Sequence, residues 1–388
     1  MARGTDVTNL KRMYREMVQD QSSSARLPLI LEREHDLRYG ENPNQPAAMY
    51  KLVGTDLANI TNIRLAKSGK EGWSATNFMD VTRALEILKY FEVPAVAVMK
   101  HLNPSGFARQ WNGNSLDSIY EQARDADARS AFGSIVVLNR AVDTVTAESI
   151  TSSYVEVVAA PEFEEGVLDL FGRKKDLRAV LYSNLDKLPK FVDDSVDGLY
   201  DIKSLPTGRV LVQKPYLTSI RSGADLVLDP LVKHEGKEYV VERNPTASEL
   251  DDLLTAWYVA IGVRSNAIVF VKNGVSVAIG TGQQERIGAI EQAIIKAYQK
   301  AMDREELQYD PIDGAMQRQF LRQNPLSGAV MSSDAFLPFR DSIDTIAKYG
   351  VTAIIQPGGS IRDHEVISAV NEHRLAMSYT LERCFAHF

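Results

Sequence analysis

The sequence is poor in cysteine, with Cys384 as the single thiol among 388 residues. One thiol cannot close a disulfide within the chain, and it cannot supply the several thiolates that many zinc sites need. The chain also has no apolar run near the ~20 residues that cross a bilayer, and residues 1–21 contain no apolar signal-peptide core. These absences exclude a disulfide-stabilised fold and indicate a cytoplasmic protein of a reducing compartment.

Positive charge is scarce relative to negative charge. The chain has 44 Lys and Arg against 51 Asp and Glu, which gives a net charge of −7. A mildly acidic surface suits neither nucleic acid nor an anionic membrane, so we expect neither as a partner, although a local basic pocket for a small anion is compatible with it. The 44% apolar and 24% charged residues are ordinary globular values, and the length indicates roughly two to three domains.

Apolar runs typical of buried strands alternate with helical patterns in the first half of the chain. The runs 95–99, 134–138 and 155–160 predict strands, and residues 116–124 have helical spacing. This alternation is typical of an α/β fold with a parallel or mixed sheet.

The second half repeats the alternation after a break in the pattern near residues 199–215. The turn signal at 206–208 places a boundary there. We therefore expect residues 1–25 to form an N-terminal helical tail, 26–208 a first α/β subdomain and 209–388 a second. The further predicted elements are helices at 10–18, 248–259 and 287–302, strands at 267–271, 276–279 and 352–356, and a hairpin turn at 272–274.

A Lys–His pair, Lys100 and His101, directly follows the apolar run 95–99. In α/β sheets, ligand-binding residues project from the carboxyl ends of buried strands, and Pro104 and Gly106 predict a tight turn after this one. Imidazole accepts protons near neutral pH, and a neighbouring ammonium favours the uncharged imidazole and stabilises a developing oxyanion. The pair is a candidate catalytic base and oxyanion partner; the alternative is two polar residues at a strand end without a catalytic role.

Four further segments have features of binding sites, each with a structural alternative. Arg38 and Tyr39 suit a phosphate or carboxylate, or belong to an ordinary surface loop. Segment 279–286 places glycines before a helix whose N–H groups suit an anion, but it lacks the third glycine of a dinucleotide fingerprint and is otherwise a strand-to-helix turn. Segment 356–360 repeats this arrangement. Segment 333–341 resembles the wall of a pocket for a flat heterocycle, or a hydrophobic staple with a surface ion pair.

In their order and spacing these segments resemble the formyltransferase part of the bifunctional purine-biosynthesis family PurH, which acts on AICAR (5-aminoimidazole-4-carboxamide ribonucleotide). The resemblance covers nearly all of the chain after the tail. The matching blocks are 37–43, 100–104, 130–133, 157–161, 264–267, 280–283, 333–336, 339–341 and 356–360.

The resemblance implies an α/β fold of two cytidine-deaminase-like subdomains with mixed sheets flanked by helices, no zinc, and active sites at a homodimer interface. It implies that the formyl group of the co-substrate 10-formyltetrahydrofolate is transferred to the 5-amino group of AICAR, which gives FAICAR and tetrahydrofolate in the de novo synthesis of IMP. Family members usually begin with an IMP cyclohydrolase domain, whereas only the short tail stands here. We therefore expect a stand-alone formyltransferase without cyclohydrolase activity, and a separate cyclohydrolase that acts in trans.

The resemblance also implies roles for individual residues. His101 would be the general base for the attacking amine, Lys100 would stabilise charge on the formyl oxygen, and no metal would take part. The implied AICAR contacts are Arg38, Tyr39, Gly133, Glu156, Asn266, Phe336 and Arg383. The implied folate contacts are Arg286, Ile287, Asp341, Ser360 and Ile361. The chain departs from the family at Ser105, where bacterial relatives commonly carry Cys, and at residues 69–77, which makes Asn77 a less secure ligand contact.

Two other function classes are compatible with parts of the pattern. A catalytically silent nucleotide-binding regulatory paralogue would be favoured by loss of the Lys100–His101 pair, which is present. A zinc deaminase on a related fold needs a Cys-x-x-Cys pair, which a chain with one cysteine lacks.

Overall fold

The described part of the chain contains most of the predicted elements. The computed structural model describes residues 4–10, 26–54, 61–69, 74–305 and 323–388. The helix predicted at 10–18 lies outside the described residues, apart from Leu10, and so does most of the predicted tail.

Strands and helices alternate through the described chain, as the apolar periodicity predicts. The strands are β1 (Thr5–Asp6), β2 (Leu31–Asp36), β3 (Ala48–Leu52), β4 (Arg64–Lys67), β5 (Ala95–Lys100), β6 (Asn103–Arg109), β7 (Ser134–Leu138), β8 (Val155–Ala160), β9 (Arg178–Leu181), β10 (Asp201–Leu205), β11 (Arg209–Gln213), β12 (Pro230–His234), β13 (Lys237–Val240), β14 (Ile268–Lys272), β15 (Val275–Gly280), β16 (Val330–Ser333), β17 (Ala353–Gln356) and β18 (Ala376–Tyr379). The α-helices are α1 (Ala75–Leu88), α2 (Leu116–Asp125), α3 (Ala128–Ala131), α4 (Thr144–Thr151), α5 (Val167–Gly172), α6 (Ala247–Ile261), α7 (Arg286–Arg304), α8 (Asp341–Ala347) and α9 (Asp363–Glu372).

Eleven of these strands form one mixed sheet in the order β18-β17-β16-β14-β15-β6-β5-β7-β8-β9-β4. The two halves of the chain join where β6 pairs antiparallel with β15, with Ala108 opposite Val275. The predicted mixed α/β architecture flanked by helices is thus confirmed, and each half contributes one part of a continuous sheet. The boundary predicted after residue 208 falls in the turn of the separate β10–β11 hairpin.

Alternation along the strands divides the core between the two faces of this sheet. In β5, Ala97 and Met99 pack in the cluster that contains α1 and α6, whereas Val96 and Val98 pack with α2, α4 and α5. In the second half, α6 packs on one face of β14 and β17. The helices α7, α8 and α9 pack on the other face of these strands and form a third cluster there. Two helical layers therefore share one face, side by side, and the other face is covered by α1 and α6.

Local sequence patterns predicted these elements well. The strands predicted at 95–99, 134–138 and 155–160 are β5, β7 and β8, the helices predicted at 116–124, 248–259 and 287–302 are α2, α6 and α7, and the hairpin predicted around 272–274 is β14–β15. Among the described residues, no helix is both long enough and apolar enough to cross a membrane.

Candidate active site

One edge of the large sheet collects the predicted site residues. Met99 pairs with Ile135 across antiparallel β5 and β7, so the carboxyl end of β5 lies beside the amino ends of β7 and β8. In the other half, the parallel strands β16, β17 and β18 end on this same side of the sheet. We call this end of the sheet, which runs across all of its strands, the site edge. At the site edge, carboxyl ends of parallel strands therefore occur only in the second half, since β5 is antiparallel to both of its neighbours and the parallel strands β7 and β8 begin there.

The Lys–His pair lies at the tip of the β5–β6 hairpin. Lys100 pairs with Asn103, so His101 and Leu102 form the two-residue turn, and both have positive φ, 53° and 65°. A turn with two positive φ angles normally takes Gly or Asn, because each other side chain in this conformation costs about 1–2 kcal/mol. The strained turn presents the exposed His101 side chain at the site edge.

The turn predicted from Pro104 and Gly106 is wrong, because both residues lie within β6. Gly106 is required for close packing rather than for a turn. A Cβ at this position would lie 1.9 Å from the carbonyl oxygen of Ala123 in α2. The missing side chain lets α2 pack directly on the strand that follows the Lys–His turn.

Two side chains of the first half hold the turn, and one of them also binds the backbone of the second half. From the first half, Asp80 Oδ1 accepts a hydrogen bond from the Leu102 N–H at 2.6 Å. Asn103 Nδ2 donates to the His101 carbonyl at 3.1 Å, and Asn103 Oδ1 accepts from the backbone N–H of Arg264 at 2.9 Å. The backbone that carries His101 is therefore fixed by α1 on one side and by the segment before β14 on the other.

The ammonium of Lys100 is fixed by two backbone carbonyls. Its Nζ donates to Phe132 O at 2.8 Å and to Gly133 O at 3.0 Å. Gly133 has a φ of 67°, and a Cβ there would lie 3.3 Å from Lys100 Nζ. Since an ammonium has three donors, these two bonds leave one N–H of Lys100 for a ligand.

The carboxylate of Asp80 lies near Lys100, and that of Glu156 lies near Asp80. Glu156, on β8, accepts a hydrogen bond from Asn77 Nδ2 of α1 at 3.1 Å. Asp80, three residues further along α1, is 1% exposed. Burial raises the pKa of Asp80 to about 6, while the Leu102 N–H and the Lys100 ammonium oppose the rise. The structure thus brings the predicted residues Lys100, Asn77 and Glu156 together.

A second group of side chains is built around Asn266, which lies just before β14. Asn266 Oδ1 accepts from Arg286 Nη2 at 2.7 Å, and Asn266 Nδ2 donates to Gln283 O at 2.8 Å. Arg286 also forms a buried ion pair with Asp334, whose Oδ2 accepts from Ser265 Oγ at 2.5 Å. The guanidinium of Arg286 therefore orients the Asn266 amide, and its contact with folate stays a prediction.

Other predicted residues follow strands of the second half along the site edge. Phe336 comes after β16 and is 41% exposed. Asp341 is the first residue of α8, and Ile287 is half-buried in the first turn of α7. Ser360 and Ile361 come after β17, and the Ile361 side chain is exposed.

Three of the predicted AICAR contacts lie on exposed segments. Arg38 and Tyr39 are in the loop between β2 and β3, with the guanidinium 4.4 Å from the ring centroid. Arg383, after β18, is exposed and lies 4.8 Å from the ring centroid of Phe385. Neither segment belongs to the eleven-stranded sheet.

The site edge is too long for all of these residues to meet within one chain. Strands β6, β15, β14 and β16 lie between β5 and β17. At ~4.8 Å per strand, five spacings separate Lys100 from the end of β17 by roughly 24 Å. One chain therefore brings Lys100 and His101 close to Gly133 and Glu156, but not to Ser360.

Sequence reasoning did not single out Asp80 or Asn103. A signal for Asp80 is present, because Asn77 and Asp80 fall on the same buried face of α1 as Val81 and Ala84. Polar residues on an apolar helical face indicate partners in the core. Asn103 belongs to a block that carries the family resemblance. Its hydrogen bond with the Arg264 N–H joins residues that are far apart in the sequence, and no local pattern predicts it.

Comparisons with known proteins place the chain in a family. A family model described as AICARFT/IMPCHase bienzyme matches residues 7–296. The bifunctional purine biosynthesis protein PurH of Caldicellulosiruptor saccharolyticus is 38% identical over 370 residues, which cover 95% of this chain and 62% of that protein. The PurH of Magnetococcus marinus is 41% identical over 355 residues, with 90% and 59% covered. The chain thus spans about 60% of the length of these curated relatives.

Metal ligands do not cluster in the part of the chain that the structure describes. Within those residues there is no group of three or more His, Cys, Asp or Glu side chains that could hold a metal ion.

Proposed function

The chain belongs to the AICARFT/IMPCHase bienzyme family, and we propose on this premise that it is a formyltransferase of de novo purine biosynthesis. The proposed reaction transfers the formyl group of 10-formyltetrahydrofolate to the 5-amino group of AICAR, which gives FAICAR and tetrahydrofolate. The observation that carries the proposal is the turn at His101 and Leu102, which holds an exposed imidazole next to the fixed ammonium of Lys100.

The chemistry of the acceptor explains why such a pair is needed. The 5-amino group of AICAR is conjugated with the carboxamide and is a weak nucleophile, so positioning and proton removal supply much of the rate. His101 accepts the proton that the amine loses as the new N–C bond forms. The remaining N–H of Lys100 stabilises the negative charge on the formyl oxygen. As the old C–N bond breaks, the imidazolium returns the proton to the leaving nitrogen of tetrahydrofolate.

The substrate contacts implied by the resemblance are part of the proposal. The residues assigned to AICAR are Arg38, Tyr39, Gly133, Glu156, Asn266, Phe336 and Arg383. The residues assigned to folate are Arg286, Ile287, Asp341, Ser360 and Ile361. Three observations support the assignment: Gly133 lies beside Lys100, the charges of Lys100 and Glu156 both act on Asp80, and Arg286 fixes the amide of Asn266.

A homodimer with shared active sites is also part of the proposal. It would bring Ser360 of one protomer toward His101 of its partner, which the ~24 Å span within one chain does not do. Exposed apolar side chains on the small hairpins offer surface for such a dimer. They are Leu31 and Tyr50 on β2–β3, and Ile202, Leu205, Val210 and Leu211 on β10–β11. Sedimentation equilibrium tests this: Leu211→Glu together with Val210→Glu should shift a dimer toward monomer.

The activity itself is tested by the absorbance of tetrahydrofolate formed from 10-formyltetrahydrofolate, with and without AICAR. We expect product only with AICAR, and we expect His101→Ala to lower turnover by about 10²-fold or more. His373→Ala is the matched control, because His373 lies at the opposite edge of the sheet, just before β18. Formylation by His101→Ala near the wild-type rate would contradict the proposal.

The proposal assigns ring closure of FAICAR to a separate IMP cyclohydrolase that acts in trans. Consumption of FAICAR by that enzyme would draw an unfavourable formyl transfer forward. Chromatography of the products decides this point, because formation of IMP from AICAR by this protein alone would overturn the assignment. The alternative, a silent nucleotide-binding regulatory paralogue, requires AICAR binding without any formation of tetrahydrofolate.

A further inference from the structure

A trench runs between the two helical layers that share one face of the sheet. Strands β6 and β15 form its floor where the two halves of the sheet meet. One wall is α7, which carries Lys296, Lys300 and Arg304 at intervals of four residues and thus along one side of the helix. The opposite wall is the end of α2 and the start of α3, with Asp125 and Asp127.

Two of these three basic side chains have partners across the trench. Lys300 Nζ lies 2.5 Å from Asp127 Oδ1, and both side chains are almost fully buried. Arg304 Nη1 donates to the carbonyl of Asp125 at 3.1 Å. These contacts join the helical layers of the two halves.

Lys296, which lies closest to the site edge among these three, is different. Its Nζ donates to Ile279 O at 3.1 Å, and no carboxylate forms an ion pair with it among the residues that the structure describes. Burial lowers the pKa of the Lys296 ammonium, Asp127 opposes this, and the Lys300 charge adds to it. An ammonium in such surroundings gains most from an added negative partner, because a partly buried charge is costly without one.

The space in front of Lys296 is a cavity of about 240 Å³. Lys100, His101, Ser130, Thr281, Lys296 and Lys300 are among its lining residues. The carboxylate in the lining is that of Asp127, which Lys300 already neutralises. The cavity therefore carries positive charge from Lys296 and lies directly beside the Lys–His turn.

We propose that this cavity is a binding site for a small oxyanion, a phosphate or a carboxylate, with Lys296 as its direct cationic partner. Lys296 has donors left after its bond to Ile279 O, and oxyanions accept several hydrogen bonds from ammonium groups. The site differs from the nucleotide contacts proposed above at Arg38, Tyr39 and Arg383. It rests on the cavity and the charges alone, so it stands whether or not the protein transfers formyl groups.

The test is isothermal titration calorimetry of the full chain with inorganic phosphate and, separately, with acetate. Both titrations use chloride buffer of constant ionic strength and contain neither AICAR nor folate. Binding in the cavity should weaken at least about tenfold in Lys296→Met, the loss expected for one charge-assisted hydrogen bond. Lys296→Arg should keep the binding. Lys348→Met is the control, because Lys348 is exposed beyond α8 at the far edge of the sheet.

Phosphate held by the exposed arginines must be told apart from phosphate in the cavity. Arg383→Met should leave the component that depends on Lys296 in place. The comparison of phosphate with acetate identifies which oxyanion the cavity prefers. Equal binding by wild type and Lys296→Met, or no binding of either anion at millimolar concentration, would overturn the proposal.

Discussion

At the scale of single residues, a histidine occupies a backbone conformation that histidine rarely adopts. His101 and Leu102 both have positive φ, and the turn is held by Asp80 and Asn103 rather than by favourable turn residues. Strain of this kind is found where function fixes the side chain. This is the position of the general base that we propose, and the bonds from Asp80 and Asn103 offset the conformational cost.

Replacement of His101 by Asn separates the chemistry from the fold. Asn adopts positive φ more readily than most residues but cannot act as a general base near neutral pH. We expect His101→Asn to lose about 10²-fold or more in turnover while its free energy of unfolding stays within about 0.5 kcal/mol of wild type. Steady-state kinetics and urea denaturation check both halves of this prediction, and retained turnover would refute it.

The buried carboxyl of Asp80 predicts a pH dependence of stability. Its folded pKa of about 6 lies above the ordinary value of 3.8, so the folded protein binds this proton more tightly than the unfolded chain. The contribution of Asp80 to the free energy of unfolding is therefore present at low pH and is lost as the pH rises through about 6. Asp80→Asn keeps an acceptor for the Leu102 N–H and removes the titration.

We expect the difference in unfolding free energy between wild type and Asp80→Asn to change between pH 4 and 6 and to be constant above pH 8. Denaturation series at several pH values measure it. Asp80→Ala, which also removes the titration but leaves the Leu102 N–H without its acceptor, should be about 1–3 kcal/mol less stable than Asp80→Asn at every pH. Parallel pH profiles of wild type and Asp80→Asn would exclude a native carboxyl with a raised pKa.

A residue can be predicted from sequence when its contacts lie close to it in the sequence, and not when they come from distant elements. Lys100 and His101 are candidates from sequence alone because a charged pair after an apolar run is a local pattern, and their catalytic role stays a prediction. Asp80 is different, because its position on the apolar face of α1 indicates a partner in the core but does not identify Leu102, which belongs to another element. Arg286 was predicted as a ligand contact, yet the bonds that commit its guanidinium to Asp334 are visible only in the fold.

At the scale of elements, the contact between β6 and α2 depends on one missing side chain. A Cβ at Gly106 would overlap the carbonyl oxygen of Ala123 at 1.9 Å, whereas one at Gly172, at the end of α5, would meet nothing within 4 Å. Neither glycine has positive φ. The pair thus isolates the effect of the contact from that of backbone conformation.

We expect Gly106→Ala to destabilise the protein by about 1–3 kcal/mol or more, because α2 must move away from the sheet. Gly172→Ala should be neutral or slightly stabilising, because alanine favours helix over glycine. Thermal or urea denaturation compares the two variants. Equal stability of both would show that α2 does not pack on β6 as described.

The elements themselves were largely predictable, but their order in the sheet was not. Apolar runs and the Asn273–Gly274 turn are local signals, and they located β5, β7, β8 and the β14–β15 hairpin. The pairing of β6 with β15 joins strands from opposite halves, and no local pattern specifies it. The antiparallel direction of β5 against β7 is likewise not specified by a local pattern, since the two strands are joined only in the fold.

At the scale of the whole molecule, the two halves are joined by the sheet and by the contacts across the trench. The Lys300–Asp127 ion pair is nearly buried, so loss of one partner leaves the other charge without compensation. We expect Lys300→Met to lower the free energy of unfolding by about 3 kcal/mol, the size typical of a broken buried pair. Lys348→Met, at an exposed position, should stay within about 0.5 kcal/mol of wild type in the same urea titration.

The hairpin tip with His101 is tied to Asp80 in one half and to Arg264 in the other. The proposed base is therefore held in position only while both halves are folded. Local unfolding of either half breaks one of these bonds and releases the His101 side chain, even when the other half is still folded. As the denaturant concentration rises, the enzymatic rate would therefore fall when the less stable half unfolds. This loss would precede the signal of any spectroscopic probe that lies in the more stable half.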